Sequence, residues 1–401
     1  MKPITIIGGG LAGLTLGIGL RQRGIPVAIW EAGHYPRHRV CGEFISGRGL
    51  DVLTRLGLLE SLVQAGALRA QTASFHATRT RSPLRPLPSP ALCLSRFTLD
   101  ALLAQHFRDL GGELGEKQRW REDGCFEGLV RANGRRLQPL ENGWRWFGLK
   151  VHARNVPLAA DLEMHVLPGG YVGLCRLKDG AVNVCGLFRR QAAHLDTSTG
   201  ARTFQSAATS EGPADSGDGV LPGGVPSLLR TGMSARQAAA VESRAPRRAP
   251  AHDPTQHWSE TLRGHPGTSL RERLAAAVFD QDSFCSVAGL SLRPQRAAAR
   301  GECCIGDALT MIPPVTGNGM SMAFESAGLA LDPLSAYSRG EAFWTQARQS
   351  VARACDAAFS RRLAWARWLH WMMFAPAMQG ALGPMVLRSG WLWQIVFSRT
   401  R

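Results

Sequence analysis

No Cys-x-x-Cys pair occurs in this chain, and its nine cysteines are odd in number and irregular in spacing. That excludes a zinc ribbon or a disulfide framework and points to a reduced, cytoplasmic protein. The adjacent Cys303-Cys304 sit in an apolar run, which suits burial better than ligation, so no metal site is expected. The basic, apolar, small-residue progression of a signal peptide is also missing, because the chain enters Ile4-Thr5-Ile6-Ile7 at once. Nor is there a run of basic residues interleaved with aromatics. The formal charge of +16 comes from 47 basic residues, nearly all arginine, spread along the chain. Such a spread is biased composition rather than a nucleic-acid surface.

What is present is a 401-residue chain with 44% hydrophobic residues, enough for two domains or one large interleaved one. Ile4-Thr5-Ile6-Ile7 reads as a short buried strand. Gly8-Gly9-Gly10-Leu11-Ala12-Gly13 follows as a G-x-G-x-x-G, and the apolar Leu14, Leu16, Ile18 and Leu20 carry it into a helix that Gly24 ends. Val27-Ala28-Ile29-Trp30 is a second strand with Glu31 at its end. In that order the parts make a dinucleotide site. Gly8 permits the tight turn, Gly10 lets the backbone approach a pyrophosphate, and Gly13 lets helix and strand pack closely. The helix N-terminus offers N–H groups and a partial positive charge to the phosphates. An acid at position 31 accepts from a free ribose 2′-OH, which favours FAD or NAD over NADP.

Further on stand Arg37-His38-Arg39-Val40-Cys41-Gly42-Glu43-Phe44-Ile45-Ser46 and then Leu94-Ser95-Arg96-Phe97-Thr98-Leu99-Asp100, opening a helix with Thr98 as its expected N-cap. Late in the chain Cys303-Cys304-Ile305 leads into Gly306-Asp307, a loop stiffened by Pro313-Pro314, and Gly317-Asn318-Gly319-Met320 before a helical stretch.

These segments, in this order, resemble FAD-dependent oxidoreductases of the superfamily of p-hydroxybenzoate hydroxylase-type aromatic hydroxylases and geranylgeranyl reductases. Cys41-Gly42-Glu43 leans toward the geranylgeranyl reductase-like branch. The likeness covers roughly residues 1–110 and 283–330, and residues 145–190 loosely. It implies an α/β fold, a Rossmann-like FAD-binding domain (three-layer ββα) interleaved with an antiparallel β-rich substrate domain, and a helical C-terminus. It implies extended FAD held by Gly8, Gly10, Leu11, Ala12, Gly13 and Glu31 at the ADP end and by Cys41, Gly42 and Arg96 near the ring or ribityl chain. At the far end it implies Gly306, Asp307, Pro314, Gly317, Asn318, Gly319 and Met320. Asp307 would accept from a ribityl or ribose hydroxyl. The helix N-terminus at Gly317–Met320 would face the flavin edge that gains negative charge on reduction. Cys41 has two readings, a thiol beside the flavin and a small packing residue in a turn.

The expected division assigns 1–75, 96–140 and 293–332 to the FAD domain and 76–95, 141–190 and 257–292 to the substrate domain. Residues 191–256 read as a low-complexity insertion, and 333–401 as a helical region. Between Trp144 and Arg189 strands are expected at 145–152, 162–166, 170–175 and 181–187, with turns at Pro168-Gly169-Gly170 and Lys178-Asp179-Gly180. Lys150, His152 and His165 are the polar residues to inspect there.

Two features depart from the aromatic hydroxylases. Their middle motif, Asp-Gly followed by Ser and Arg, is matched here by Leu129-Val130-Arg131-Ala132-Asn133-Gly134-Arg135-Arg136-Leu137, without the acid or the serine. This argues against direct use of NAD(P)H as reductant. Leu309-Thr310 stands where they commonly carry His.

At the C-terminal end Trp344, Val351, Cys355, Phe359, Leu363 and Ala366 share one helical face. Trp368 to Leu387 carries no formal charge, but Pro376, Gly380, Gly383 and Pro384 oppose a continuous membrane span. Packing on the FAD domain and peripheral membrane contact, with Trp391 and Trp393 as anchors, both stay open. The expected function is FAD-dependent redox chemistry on an apolar small molecule (isoprenoid, polyketide or aromatic). It proceeds by hydride transfer, which the Cys-Gly-Glu segment slightly favours, or by monooxygenation through a flavin hydroperoxide. The alternative is a flavin-binding or membrane-associated protein whose catalysis is degenerate. Nothing in the sequence sets the oligomeric state.

Overall fold

The computed structural model describes residues 1–77, 80–121, 126–135, 143–191, 254–375, 389–391 and 394, with side chains excepted at 254–257. Most of the 191–256 insertion and of the charge-free C-terminal run lie outside the described residues. The elements, in chain order, are strands β1 (Ile4–Ile7), β2 (Val27–Trp30), β3 (Phe44–Ile45), β4 (Leu68–Ala77), β5 (Thr80–Arg81), β6 (Arg85–Cys93), β7 (Glu113–Gly115), β8 (Leu129–Arg131), β9 (Trp144–Arg154), β10 (Leu162–Leu167), β11 (Gly170–Arg176), β12 (Val182–Gln191), β13 (Val278–Ala288) and β14 (Cys303–Cys304). The helices are α1 (Leu11–Gln22), α2 (Arg48–Arg55), α3 (Leu59–Gln64), α4 (Arg96–Asp109), α5 (Pro254–Arg263), α6 (Ser269–Arg273), α7 (Gly319–Arg339) and α8 (Trp344–Phe374).

Five strands form a parallel sheet in the order β14-β8-β1-β2-β7. Parallel strands buried on both faces read as unbroken apolar runs, as Ile4–Ile7 does. Helix α1 packs against this sheet, α4 and α7, and every residue from Leu11 to Leu20 is buried. Its glycines permit that crowding. A Cβ on Gly17 would lie 2.8 Å from Ile29 and from Phe107, and one on Gly19 would lie 2.6 Å from Leu331.

The second sheet runs β13-β9-β12-β11-β10-β4-β6-β3, with β5 hairpinned onto β4. All its pairings are antiparallel except β10 with β4. Strand β4 joins it from Leu68, ahead of the boundary expected at 76. Its two faces differ. Leu149, Val151, Val172, Leu174, Val182 and Val184 pack on Trp258, Leu262, Leu270 and Leu274 of α5 and α6. The opposite face, set by the register pairs Lys150↔Cys185, Gly148↔Leu187, Tyr171↔Leu187 and Trp146↔Arg189, is turned toward residues 38–43, the Met311–Val315 loop and the end of α8.

Two local expectations change. Helix α4 starts at Arg96, and Ser95 rather than Thr98 is its N-cap, with its Oγ accepting from the Thr98 N–H at 3.2 Å. The late helix, expected over Met320 to Leu331, is longer, since α7 continues through Pro333 to a left-handed Gly340. The expected face of α8 holds, with Trp344, Val351, Cys355, Phe359, Leu363 and Ala366 all buried. Cys303 and Cys304 are buried as expected. No described helix is long and apolar enough to cross a membrane.

Candidate active site

The glycine loop closes as its residue types require. Gly8 has φ +104°, and a Cβ there would strike the Ala132 carbonyl oxygen at 2.5 Å. A Cβ on Gly13 would lie 2.0 Å from the Gly8 carbonyl oxygen. Gly10, the N-cap of α1, faces open space, with nothing within 4 Å of a Cβ. Glu31 is buried and accepts from the Gly9 and Gly33 N–H groups, each at 2.8 Å. Tyr35 donates to the Gly9 carbonyl. Glu31 therefore pins the loop itself as well as standing where a ribose acceptor is expected.

From Glu31 a file of alternating charges runs to the late loop. Arg37 pairs with Glu31 at 2.8 Å, and Arg39 lies 4.0 Å from Glu31 and 3.7 Å from Asp100. Arg96 grips the fully buried Asp100 through two hydrogen bonds, 2.7 and 2.8 Å. Asp307 feels the fields of Arg135, Arg96 and Arg39. Burial raises its carboxyl above the usual range, and those guanidiniums oppose the rise. At Glu31 burial also works upward, but Arg37, the Gly33 N–H and Arg39 overcome it and hold the carboxyl low. Four guanidiniums thus face three carboxylates along one trough.

The late loop abuts the first one, since a Cβ on Gly306 would meet that of Ala12 at 2.8 Å. Gly306 and Gly317 are left-handed, at φ +60° and +65°. Gly317 lies under the Phe44 ring, 2.2 Å from where its Cβ would be. Gly319, like Gly10, faces open space. Neither α1 nor α7 has a side-chain cap or an acid in its first turn. The Nε atoms of Arg37 and Arg39 are buried and make no hydrogen bond. These open glycines, uncapped N-termini and orphan guanidinium donors fit an extended dinucleotide carrying a pyrophosphate.

Over the trough, the Cys41-Gly42-Glu43 segment meets the second sheet. Glu43 is fully buried at φ +60°, a conformation uncommon for a residue with a side chain. Its carboxylate accepts from the Arg96 N–H at 2.9 Å and lies 3.3 Å from Lys150 Nζ and 2.7 Å from His152 Nε2. Lys150 is fully buried and donates to His38 Nδ1 at 3.0 Å, while His38 stacks on Phe97. Burial, Lys150 and His152 push His38 down to about 4, so it is neutral near pH 7. Desolvation works against the Glu43 anion, but the His152 hydrogen bond and Lys150 outweigh it and hold the carboxyl low. Cys41 Sγ accepts from the Glu43 N–H at 3.5 Å, and burial raises its thiol. A thiol held neutral inside a turn is a poor nucleophile.

Next to this charged end the same sheet face becomes apolar. Trp146, Tyr171, Leu187, Leu290, Leu292, Val315 and Phe374 are buried together, with Met164, Met311 and Met373 against them. This apolar cluster joins the sheet, the loop carrying Pro313-Pro314 and the end of α8.

Lys150 and His152 thus come together with Glu43, while His165 does not. It lies on the sheet's other face, with its Nε2 3.0 Å from Glu163 and its ring stacked on His76 at 4.2 Å. His38–Glu43–His152 and His76–Glu163–His165 both have the spacing of metal ligands. Each carboxylate, however, already faces a cation, Lys150 in the first and Arg273, at 3.1 Å, in the second. The Glu43 carboxylate, His38 and the pair Arg37 and Arg39 did not emerge as site residues from the sequence. They sit in quoted segments, but no spacing rule marks them. The middle-motif Arg135 joins the charge file beside Asp307 even though the motif lacks its acid.

The FAD binding domain family matches residues 1–125, and the squalene epoxidase family matches residues 231–342. Rifampicin monooxygenase of Streptomyces venezuelae is 29% identical over 116 residues, a stretch that takes in 28% of this chain and only 24% of that enzyme. Among solved structures, the flavin-dependent brominase Bmp2 aligns with a TM-score of 0.66 at 16% identity, over 99% of this chain and 92% of its own. The flavin-dependent halogenase CmlS gives 0.64 at 16%, over 98% and 67%. PqsL of P. aeruginosa, solved with 2-aminobenzoylacetate, gives 0.61 at 14%, over 99% and 99%. At such identities the structures show the fold alone. Together with the family match they establish an FAD-binding α/β fold with a second, β-rich layer, and they support FAD-dependent oxidation in general.

Proposed function

We propose that this protein is a flavin-dependent oxidoreductase that oxidises an apolar small molecule, with molecular oxygen as the favoured oxidant. The observation that carries the proposal is the joining of two half-sites. Gly306 against Ala12 brings the late loop onto the glycine loop, and Lys150, Tyr171 and Trp146 face that trough from one side of one sheet. Bound FAD would supply the redox chemistry, either activating oxygen once reduced or exchanging a hydride with carbon. Gly8, Gly10, Gly13 and Glu31 would hold its ADP half, and Arg96, Asp307 and the α7 N-terminus its flavin half.

The chain's own residues do the rest. Lys150, paired with Glu43, is a hydrogen-bond donor in a water-excluded place, where charge developing nearby is stabilised more than in water. Neutral His38 accepts from Lys150 at one ring nitrogen and has its other nitrogen available to hold a proton. The apolar walls exclude water around the substrate. The monooxygenase relative and the squalene epoxidase match favour oxygen chemistry. The lean of Cys41-Gly42-Glu43 toward the geranylgeranyl reductase-like branch finds no support in these relatives, and the buried thiol gives it no chemical role.

Purified protein should be yellow and bleach with dithionite. With substrate and a reductant it should consume oxygen. Anaerobic flavin reduction by an apolar substrate, without oxygen uptake, would instead favour dehydrogenation. A protein that retains no added FAD would overturn the proposal. A second reading, peripheral membrane contact, is favoured by the exposure of Trp368, Trp371 and Trp391. Cosedimentation with anionic vesicles tests it.

A further inference from the structure

We propose that Arg189 and His370 form an anion-recognising end of the apolar cluster around Trp146 and Phe374, so that the substrate is an apolar acid whose carboxylate sits there. This assignment rests on the proposed oxidoreductase function and names its substrate class. Arg189 leaves the sheet face opposite Trp146. Its guanidinium carbon lies 4.3 Å from the centre of the Trp144 ring, 4.6 Å from Phe374 and 5.9 Å from Trp146. Its Nε is buried and makes no hydrogen bond. His370 lies 4.8 Å, ring to ring, from both Trp146 and Phe374, and both its nitrogens are buried without a hydrogen-bond partner. Deeper in the same cluster the 4% exposed Tyr171 has an equally unpartnered hydroxyl.

Buried polar groups are normally paired, and three orphans in one cluster are unusual. Aromatic rings flank the guanidinium and shape a flat slot, but they satisfy no N–H. All three groups are donors at neutral pH. Desolvation lowers the Arg189 cation against its ordinary range, and among the described residues no carboxylate counters that effect. Desolvation and the Arg189 charge push His370 down to about 4, leaving a neutral ring with one N–H. Desolvation holds the Tyr171 hydroxyl protonated. A donor set with one uncompensated positive charge selects an anion, and a planar guanidinium selects a carboxylate. Met311 and Val315 place the other end of the cluster beside the Pro313-Pro314 loop, where a flavin ring is expected. An acid held at Arg189 would therefore point its apolar body toward the redox centre.

The test titrates the FAD-loaded full chain with benzoate, 2-naphthoate and decanoate, each beside its neutral amide, following tryptophan fluorescence and the flavin spectrum. At least one acid should bind tenfold or more tightly than its amide. Arg189→Met should remove that preference and leave amide binding as it was, and Arg189→Lys should restore part of it. Acids binding no better than amides, or Arg189→Met weakening both alike, would overturn the proposal. Flavin content is read on the same samples. A protein that holds FAD but does not discriminate sinks the acid site alone. One that discriminates by tryptophan fluorescence but never holds FAD sinks the oxidoreductase function alone.

Discussion

Lys150 and Glu43 face each other 3.3 Å apart with both side chains wholly shut off from solvent. Lys150 comes from the middle of a long strand and Glu43 from a left-handed turn over the dinucleotide trough, so the pair ties that turn to β9 of the second sheet at the expected redox centre. Lys150→Met leaves the Glu43 carboxylate buried with His152 as its remaining side-chain partner. Breaking a buried pair from one side costs about 3–5 kcal/mol. Urea unfolding should show a loss of that order for Lys150→Met. The double variant Glu43→Gln/Lys150→Met should recover part of it, because no lone charge stays behind. A double variant as unstable as the sum of the singles would mean that the two side chains do not act as a pair.

Two glycines of the first loop should respond in opposite ways. Gly10 has an ordinary φ and open space where a Cβ would go. Gly10→Val should leave the thermal midpoint of the FAD-free protein nearly unchanged and abolish flavin retention, because the added branches occupy the path of the pyrophosphate. Gly13→Val drives a Cβ to 2.0 Å from the Gly8 carbonyl and should lower the midpoint before any cofactor is added. If Gly10→Val purified with its full flavin absorbance, the pyrophosphate would not pass there.

Much of this arrangement was legible in the sequence, and the boundary has a physical basis. The glycine loop, Glu31 and the Gly306–Gly319 loop are local devices, in which each residue type answers to a backbone need within a few positions. The strand periods from Trp144 onward exposed the second sheet for the same reason. Glu43, His38 and Arg189 were hidden because their meaning lies in register. Lys150 meets Glu43 only after more than a hundred residues of intervening chain, and Arg189 finds Phe374 only because α8 ends over β12. Thr98 reads as the helix cap because it precedes the apolar face, whereas Ser95 caps the extra turn.

Acid should weaken the protein through the buried His76 well before it protonates Glu163. Burial and the neighbouring His165 push His76 down to about 4. Because the folded pKa lies below the unfolded value, the unfolded chain takes the proton first. The neutral ring's contribution is whole above the unfolded pKa and is lost as pH falls toward 4. One such histidine costs about 2 kcal/mol by pH 5. Glu163 acts later. Desolvation opposes its charge, but His165, the Ala159 N–H and Arg273 hold it at about 2, so its contribution is lost only as pH falls from the ordinary carboxylate range toward 2. Thermal midpoints should therefore fall between pH 7 and 5, and His76→Gln should flatten that slope. An unchanged slope would show that His76 titrates in the folded protein as it does in water.

Asp307 faces three guanidiniums and stands where a flavin's polyol chain is expected, and these two roles predict opposite effects of Asp307→Asn. The variant keeps the size and one acceptor oxygen but removes the charge. Arg135, Arg96 and Arg39 then lose an anion, and the trough becomes more positive. Were the carboxylate only their counter-ion, any ligand with a pyrophosphate would bind more tightly, ADP as much as FAD. If it accepts from the polyol, only the ligand that carries a polyol suffers, since a charged acceptor makes the stronger hydrogen bond. Titration of the FAD-free protein should show FAD affinity falling about tenfold in Asp307→Asn, with ADP affinity unchanged or higher. A parallel gain for both ligands would assign Asp307 to charge balance and move the flavin's acceptor elsewhere on the late loop.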